Sequence, residues 1–135
     1  MAKFVLTDAS LVINSVDLSD HVASVTLELN SEEIDTTSFG STFMSKTGGL
    51  KSGTLSIDFQ QDFASSEVDA TMFPLFGSTT AFVLKATSGS VSATNPSYSG
   101  SILVNQHIPV ANAVGELATM SVSFPTSGTI TRATS

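Results

Sequence analysis

The sequence predicts an all-β fold with one short helix, arranged as a β-sandwich or partly closed barrel around a long β-hairpin. Residues 23–30 and 55–60 alternate strictly between apolar and polar side chains. This two-residue period is that of strands with one dry and one wet face. Ser and Thr account for 40 of the 135 residues, whereas charged residues account for 13%. Polarity carried by hydroxyls favours strands over helices.

Composition also limits the function. A chain of 135 residues, 41% of them hydrophobic, predicts one domain over residues 1–135 with a substantial core. The net charge is −7 and the five basic residues form no run, which argues against a nucleic-acid-binding surface. There are no cysteines for disulfides or thiolate metal sites. The first 15 residues do not resemble a signal peptide and no apolar run suits a membrane span, so we expect cytoplasmic synthesis and no membrane partner.

The hairpin is predicted to span Val22 to Phe63. Before it we expect a short strand or arm, a strand, and a connecting segment, at residues 3–8, 10–14 and 16–20. In the first arm, apolar residues occupy odd positions as far as Leu29, but the next apolar residue, Ile34, is at an even position. A bulge or bend between Asn30 and Glu33 would explain this change of phase.

The connector between the two arms, residues 38–50, is too long for an ordinary turn. Loops of this length are usually functional or disordered. The apolar residues Phe39, Phe43 and Met44 lie among Gly, Ser and Thr, which suggests that the loop becomes ordered against another subunit. The alternative is that the loop folds back onto the core of its own subunit.

One helix of two or three turns is predicted after the hairpin, covering an open face or end of the sheet. Ser66 is suited to cap it and Asp69 to lie in its first turn. Pro74 lacks a backbone amide, so regular helix is expected to end near Phe73, and Gly77 is suited to the stop.

Strands then resume. Four candidates follow the helix, at residues 81–86, 98–108, 117–124 and 129–132. A loop at 88–96 and a turn at 109–115 separate them, because both segments are rich in residues that favour turns. Together with the earlier strands, these candidates give seven or eight strands in all.

Neither histidine predicts catalysis. His21 lies beside Asp20 and near Ser19, so a Ser–His–Asp set exists on paper, but no nucleophile-elbow motif accompanies it. We interpret His21 as a turn residue whose ring bonds a carboxylate or the backbone, and His107 as structural. A small hydrolase that uses His21 is the disfavoured alternative.

No metal or cofactor site is predicted either. Glu32, Glu33 and Asp35 lack the spacing of a calcium loop, and neighbouring strand positions point to opposite faces. A solvated acidic edge is the favoured interpretation of these three residues. We therefore predict a protein without catalytic residues, metal or cofactor.

Several short motifs follow one another in a specific order. They are LVINSVDLSDH at 11–21, VTLE at 25–28, EIDTT at 33–37, GTLSIDF at 53–59, QQDF at 60–63, FPLFG at 73–77, NPSY at 95–98 and VG at 114–115. This layout, which covers nearly the whole chain, resembles that of the major tail-tube proteins of long-tailed, siphovirus-like bacteriophages.

The resemblance implies a structural virion protein. In that family a β-sandwich with a flanking helix forms six-membered rings, and the rings stack into a hollow tail tube through which DNA passes. The hairpin arms of all subunits join into one inner barrel, and the loop between the arms contacts the next ring. By position, the inter-ring contact is Phe39, Phe43, Met44 and Lys46. The lumen-facing residues are Thr26, Glu28, Glu32, Ser56, Asp58 and Gln60.

Partners follow from the same resemblance. The partners are other copies of the chain and the tail terminator, tape-measure and tail-tip proteins. DNA passes through the tube without being bound. The protein is expected to be synthesised in the host cytoplasm and to lie in the tail of the virion. A wet strand face without cations suits such a channel, since phosphate contacts would hold the DNA. The alternative is a capsid decoration protein or another virion surface β-domain, which would not need long hairpin arms.

Overall fold

The computed structural model describes residues 3–135, which form seven antiparallel strands and one short α-helix. The strands are β1 Ser10–Ile13, β2 Val16–Asp17, β3 Val22–Asp35, β4 Lys46–Gln60, β5 Thr79–Lys85, β6 Ser97–Leu103 and β7 Thr119–Ala133. The helix, α1, spans Val68–Met72, and 3-10 turns span Ser19–His21 and Phe73–Leu75. The predicted fold class is confirmed. No helix within residues 3–135 is long and apolar enough to cross a membrane.

The strand order is β2-β1-β5-β6-β7-β4-β3, and β7 joins the two halves of the sheet. Residues 119–125 of β7 pair with β4, and residues 126–133 pair with β6. The two halves therefore meet along one strand and face each other across a common core. The order is linear, which leaves β2 and β3 as edges, as expected of a partly closed sandwich.

The prediction of two separate C-terminal strands, 117–124 and 129–132, is wrong, because β7 runs unbroken through Pro125. Ser123 donates its amide to the side chain of Gln106 at 3.2 Å rather than to β4. Backbone amides two residues apart in a strand point to the same side. The amide that Pro125 lacks would therefore also have pointed away from β4. The proline thus interrupts no bond to β4, in keeping with its tolerance at sheet edges.

The core lies between the two halves. Fully buried side chains come from β1, β5 and β6 on one side, from β4 and β7 on the other, and from α1 at one end. The largest are Leu11, Ile13, Leu18, Phe82, Ile102, Leu55, Ile57, Phe59, Met120, Phe124 and Met72. The odd-numbered residues of β4 all point inward from Gly53 to Phe59, as the alternation predicts.

The helix is shorter than predicted. It has five residues, and Ser66 does not cap it, because Ser66 has a positive φ of 64° and Glu67 occupies the cap position without a side-chain bond. Pro74 ends regular helix as expected, and the chain continues as a 3-10 turn. Gly77 then adopts the left-handed φ of 87° that suits a stop.

Residues 3–9 run as an arm, the second of the two alternatives expected for this segment. A later boundary differs from prediction. The strand predicted over 98–108 ends at Leu103, opposite Thr79, the first residue of β5. Val104 still exchanges backbone hydrogen bonds with Gly77 and Ser78, which precede β5. Residues 104–118 are irregular.

Candidate assembly surfaces

β3, β4 and the first half of β7 form a three-stranded sheet with one apolar and one polar face. Cross-strand pairing places Thr26 opposite Ser56 and Glu28 opposite Thr54, and the hydroxyls of Ser56 and Ser123 lie 2.8 Å apart. Even-numbered β4 residues and their neighbours share this polar face. Its members are Ser24, Thr26, Glu28, Asn30, Ser52, Thr54, Ser56, Asp58, Gln60, Thr119, Ser121 and Ser123.

Glu32 continues this face, because the predicted bulge is present but lies on the other strand. Between the pairs Ser31↔Lys51 and Glu33↔Gly48, β3 advances two residues while β4 advances three. The alternation of β3 is therefore undisturbed. Glu32 lies on the side of Glu28, and so does Ile34, which is 42% exposed. The bulge thus does not return Ile34 to the core face, contrary to the reasoning that predicted it.

The polar face carries negative charge alone among the residues described. Its ionisable members are Glu28, Glu32 and Asp58, and Glu28 accepts a hydrogen bond from Asn30 Nδ2 at 3.0 Å. Lys46 and Lys51 pair with Asp35 and Ser31, at odd positions of β3, and so belong to the opposite side of the hairpin. A surface of hydroxyls and carboxylates without cations offers a polyanion no ion pairs.

The hairpin tip, residues 36–45, is shorter than the predicted connector, because β4 begins at Lys46. Its base is fixed by a bond from Thr36 N to Ser45 O at 2.9 Å and one from Ser45 N to Thr37 Oγ1 at 2.8 Å. Lys46 is consequently a strand residue rather than a loop residue. Its ammonium lies 2.6 Å from the carboxylate of Glu33.

The apolar side chains of the tip point into solvent. Phe39, Phe43 and Met44 are 108%, 87% and 68% exposed. The alternative in which the loop folds back onto its own core is therefore wrong. Phenylalanine and methionine exposed together at the end of a projecting hairpin are typical of an interaction site.

His21 lies at the other end of the hairpin, held by three carboxylates. Its Nδ1 is 2.8 Å from Asp20 and 3.2 Å from Glu67, and its Nε2 is 2.9 Å from Asp62. Burial opposes the charged ring, but the hydrogen bonds to Asp20 and Asp62 and the charges of Asp20 and Glu67 outweigh it and raise the pKa of His21. A backbone bond from Ala64 and the bond to His21 lower the pKa of Asp62.

This arrangement confirms that the His21 ring bonds carboxylates. Ser19 bonds Asp17 and the backbone of Leu11 instead, so the Ser–His–Asp set drawn from the sequence is not assembled. Ligand atoms of Asp20, His21 and Glu67 lie within 4.8 Å of one another, the spacing that a shared cation needs, but they already bond one another. The group links the 3-10 turn before β3 to the segment after β4.

His107 also has a structural role. Its Nε2 lies 3.2 Å from Asp69 of α1. Its ring lies against Phe73 and Phe76, with centroid distances of 5.6 Å and 6.5 Å. His107 thereby ties residues 104–118 to the helix and the 3-10 turn that follows it.

One surface was missed by the sequence analysis. Six exposed apolar side chains lie beyond the Gln60 end of β4, where the segment after β4, the 3-10 turn after α1 and residues 104–118 meet. We name this the apolar end surface: Phe63, Phe73, Phe76, Val110, Val114 and Leu117, each at least 53% exposed. The sequence contained one sign of this surface, namely the apolar residues within the predicted turn at 109–115. Their position beside the phenylalanines, however, is set by the fold.

Comparison with known proteins rests on structure alone. No protein-family model matches the chain, and no curated protein matches it. A chain in the virion of a native gene transfer agent particle is similar with a TM-score of 0.73 and 16% identity, over 93% of this chain and 95% of that one. A chain in the tail of an empty gene transfer agent particle, refined with C6 helical symmetry, is similar with a TM-score of 0.62 and 17% identity, over 82% and 81%. At these identities, the similarity shows a shared fold.

Proposed function

We propose that this chain is the subunit of a phage-like tail tube, assembling as stacked six-membered rings around a channel for DNA. The observation that carries the proposal is the cation-free polar face, formed on a fold shared with chains of a virion and a tail. In the tube this face lines the channel. Thr26, Glu28, Glu32, Ser56, Asp58 and Gln60 are its lumen-facing residues.

The chemistry of the face suits a conduit. Phosphate contacts from lysine and arginine are what hold proteins on DNA, and here the ionisable groups are carboxylates. In a six-membered ring, Glu28, Glu32 and Asp58 supply 18 carboxylates to the channel wall. Their repulsion extends roughly 8 Å at physiological ionic strength, so it acts on DNA that approaches the wall and keeps it centred.

The edges of the sheet support lateral assembly. β3 has 14 residues and, within residues 3–135, pairs on one side only, with β4. Long unpaired edges promote association and are normally covered. In a ring, each subunit contacts the next one head to tail, and the repeated rotation closes the ring. The edge of β3 is then covered by the neighbouring subunit.

The hairpin tip supports stacking between rings. The exposed apolar side chains of the tip in the single subunit are Phe39, Phe43 and Met44. Another subunit can therefore bury them without breaking contacts to their own core. Lys46, ion-paired with Glu33, lies at the margin of the proposed contact. Other partners in this proposal are the proteins that end and fill such tubes, namely tail terminator, tape-measure and tail-tip proteins.

The test compares Phe43→Ser with Phe43→Leu, which keeps an apolar side chain. Truncating an interface anchor costs about 2 kcal/mol or more, which raises the concentration needed for assembly about 30-fold. Sedimentation should show polymers for the wild type and Phe43→Leu but not for Phe43→Ser, with equal thermal unfolding of all three monomers. Assembly of Phe43→Ser at the wild-type concentration would contradict the stacking role of the tip. A wild type that forms no polymer would contradict the proposal and favour a decoration protein or another virion surface domain.

A further inference from the structure

We infer that the apolar end surface receives the hairpin tip of a second copy in the adjacent ring. The inference rests on the proposed function and adds the receiving half of the stacking contact. The six exposed apolar residues of this surface come from three separate segments. Neither the polar face nor the hairpin explains their exposure, and the inference gives them a shared role.

The two surfaces lie at opposite ends of one strand. β4 starts at the tip with Lys46 and ends with Gln60, and Phe63 follows three residues later. Gln60 pairs with Thr119, directly after the segment that carries Leu117. A strand of 15 residues is roughly 50 Å long. The tip therefore does not reach the apolar end surface of its own subunit, whereas a copy displaced along the strand brings the two together. Such a contact is head-to-tail and open-ended, as a growing tube requires.

The receiving segment is held in place by hydrogen bonds on its inner side. Gln61 N donates to Ala118 O at 2.9 Å, and Gln61 Nε2 donates to Pro109 O at 3.1 Å. Asn112 Oδ1 accepts from Thr119 N at 2.8 Å. The polar groups are satisfied inward while the apolar side chains face outward. Docking onto a surface already ordered in the monomer costs less entropy than ordering a free loop.

The side chains of the two surfaces are chemically matched. Phe73 and Phe76 flank His107 and keep 62% and 53% of their surface exposed. The tip offers two further aromatic rings and a thioether. Edge-to-face aromatic pairs and sulfur–aromatic contacts are both favourable once water is excluded.

A competing receptor, the N-terminal arm, is less suited. Phe4, Val5 and Leu6 are also exposed. Leu6, however, lines a groove with Leu27 and Leu84, which lies between the two halves of its own subunit. The arm thus runs along the flank of the sandwich rather than at the end that a head-to-tail neighbour meets.

Cysteine crosslinking tests the contact, because the chain has no cysteine of its own. Ser41→Cys marks the tip and Ala113→Cys marks the end surface, both at exposed positions. The two proteins are mixed, assembled and oxidised. The expected product is a disulfide-linked heterodimer, and a chain that carries both cysteines should give a ladder of oligomers. Ser41→Cys mixed with Ser90→Cys, an exposed position in the loop between β5 and β6, is the matched control and should give no heterodimer.

Interface variants supply the second measurement. Val114→Ser should raise the concentration for half-assembly at least about tenfold. Combining it with Phe43→Ser should add less than the sum of the two separate effects, because residues in contact do not act independently. Polymers that form but crosslink at Ser90→Cys, or that tolerate Val114→Ser, would overturn the inference and leave the proposed function standing. A wild-type chain that forms no polymer would overturn both.

Discussion

Reversing the charge of the polar face should turn a non-binding channel into one that retains DNA. The change is Glu28→Lys with Asp58→Lys. Glu28 lies opposite Thr54, and Asp58 lies between Ser24 and Ser121, so neither carboxylate has a cationic cross-strand partner to lose. Both side chains are exposed, and the free energy of unfolding should change by less than about 0.5 kcal/mol per site.

The magnitude follows from the proposed geometry. Each substitution changes the charge by two units, so the double variant takes the charge from Glu28, Glu32 and Asp58 from −18 to +6 in a six-membered ring. Twelve lysines then face the channel. If six to ten of them contact phosphates, affinity for DNA should fall roughly 10³- to 10⁵-fold between 50 and 200 mM salt. Wild-type tubes should retain no DNA at either concentration.

The assay measures short duplex DNA that co-sediments with assembled tubes across a salt series. Glu33→Lys, at an odd position on the opposite side of β3, is the control, and it makes the same charge change as either single substitution. Because it also removes the ion pair with Lys46, only Glu33→Lys tubes whose assembly has been verified enter the comparison. In a complete particle, the double variant should also slow DNA ejection, most strongly at low salt. If the double variant retains no more DNA at 50 mM salt than Glu33→Lys does, these side chains do not line the channel.

Three further predictions concern the subunit. Backbone amides of residues 38–44 should exchange rapidly in the monomer and slowly in the polymer, because burial must offset the entropy of ordering the tip; equal protection in hydrogen exchange would contradict this. The raised pKa of His21 predicts stabilisation that is complete below its ordinary value and is lost as pH rises through the folded value. His21→Ala should therefore lower thermal stability more at pH 5.5 than at pH 8.5 while leaving assembly intact, and an equal loss at both would refute the assignment. Ile57→Ala should cost about 2–5 kcal/mol in denaturant unfolding because it leaves a cavity in the core, whereas neighbouring Ser56→Ala, on the polar face, should cost less than about 1 kcal/mol.

Alternation was the part of the fold that sequence predicted well. From Gly53 to Phe59 the odd residues of β4 are buried and the even ones face outward, because a strand has a fixed two-residue period. A bulge near Glu32 was predicted from a change of apolar phase in β3, but the bulge lies on β4 and does not cause that change. Which strand carries the extra residue depends on pairing across the hairpin, and one strand's pattern does not contain that information.

Features set by tertiary contacts were not predictable. Pro125 suggests a strand end, yet β7 continues, because the missing amide faces away from β4. Ser66 suggests a helix cap, but its positive φ excludes that geometry. The apolar end surface depends on His107 bonding Asp69, a contact 38 residues apart in sequence. Local patterns cannot place such segments side by side.

Electron microscopy of the purified protein at high concentration tests the tube proposal most directly. The expected result is hollow rods with six subunits per ring, in which the face that carries Glu28, Ser56 and Asp58 lines the channel and the hairpin tips reach the adjacent ring. Particles that remain monomeric at every concentration, or a polymer whose channel is lined by another face, would contradict it.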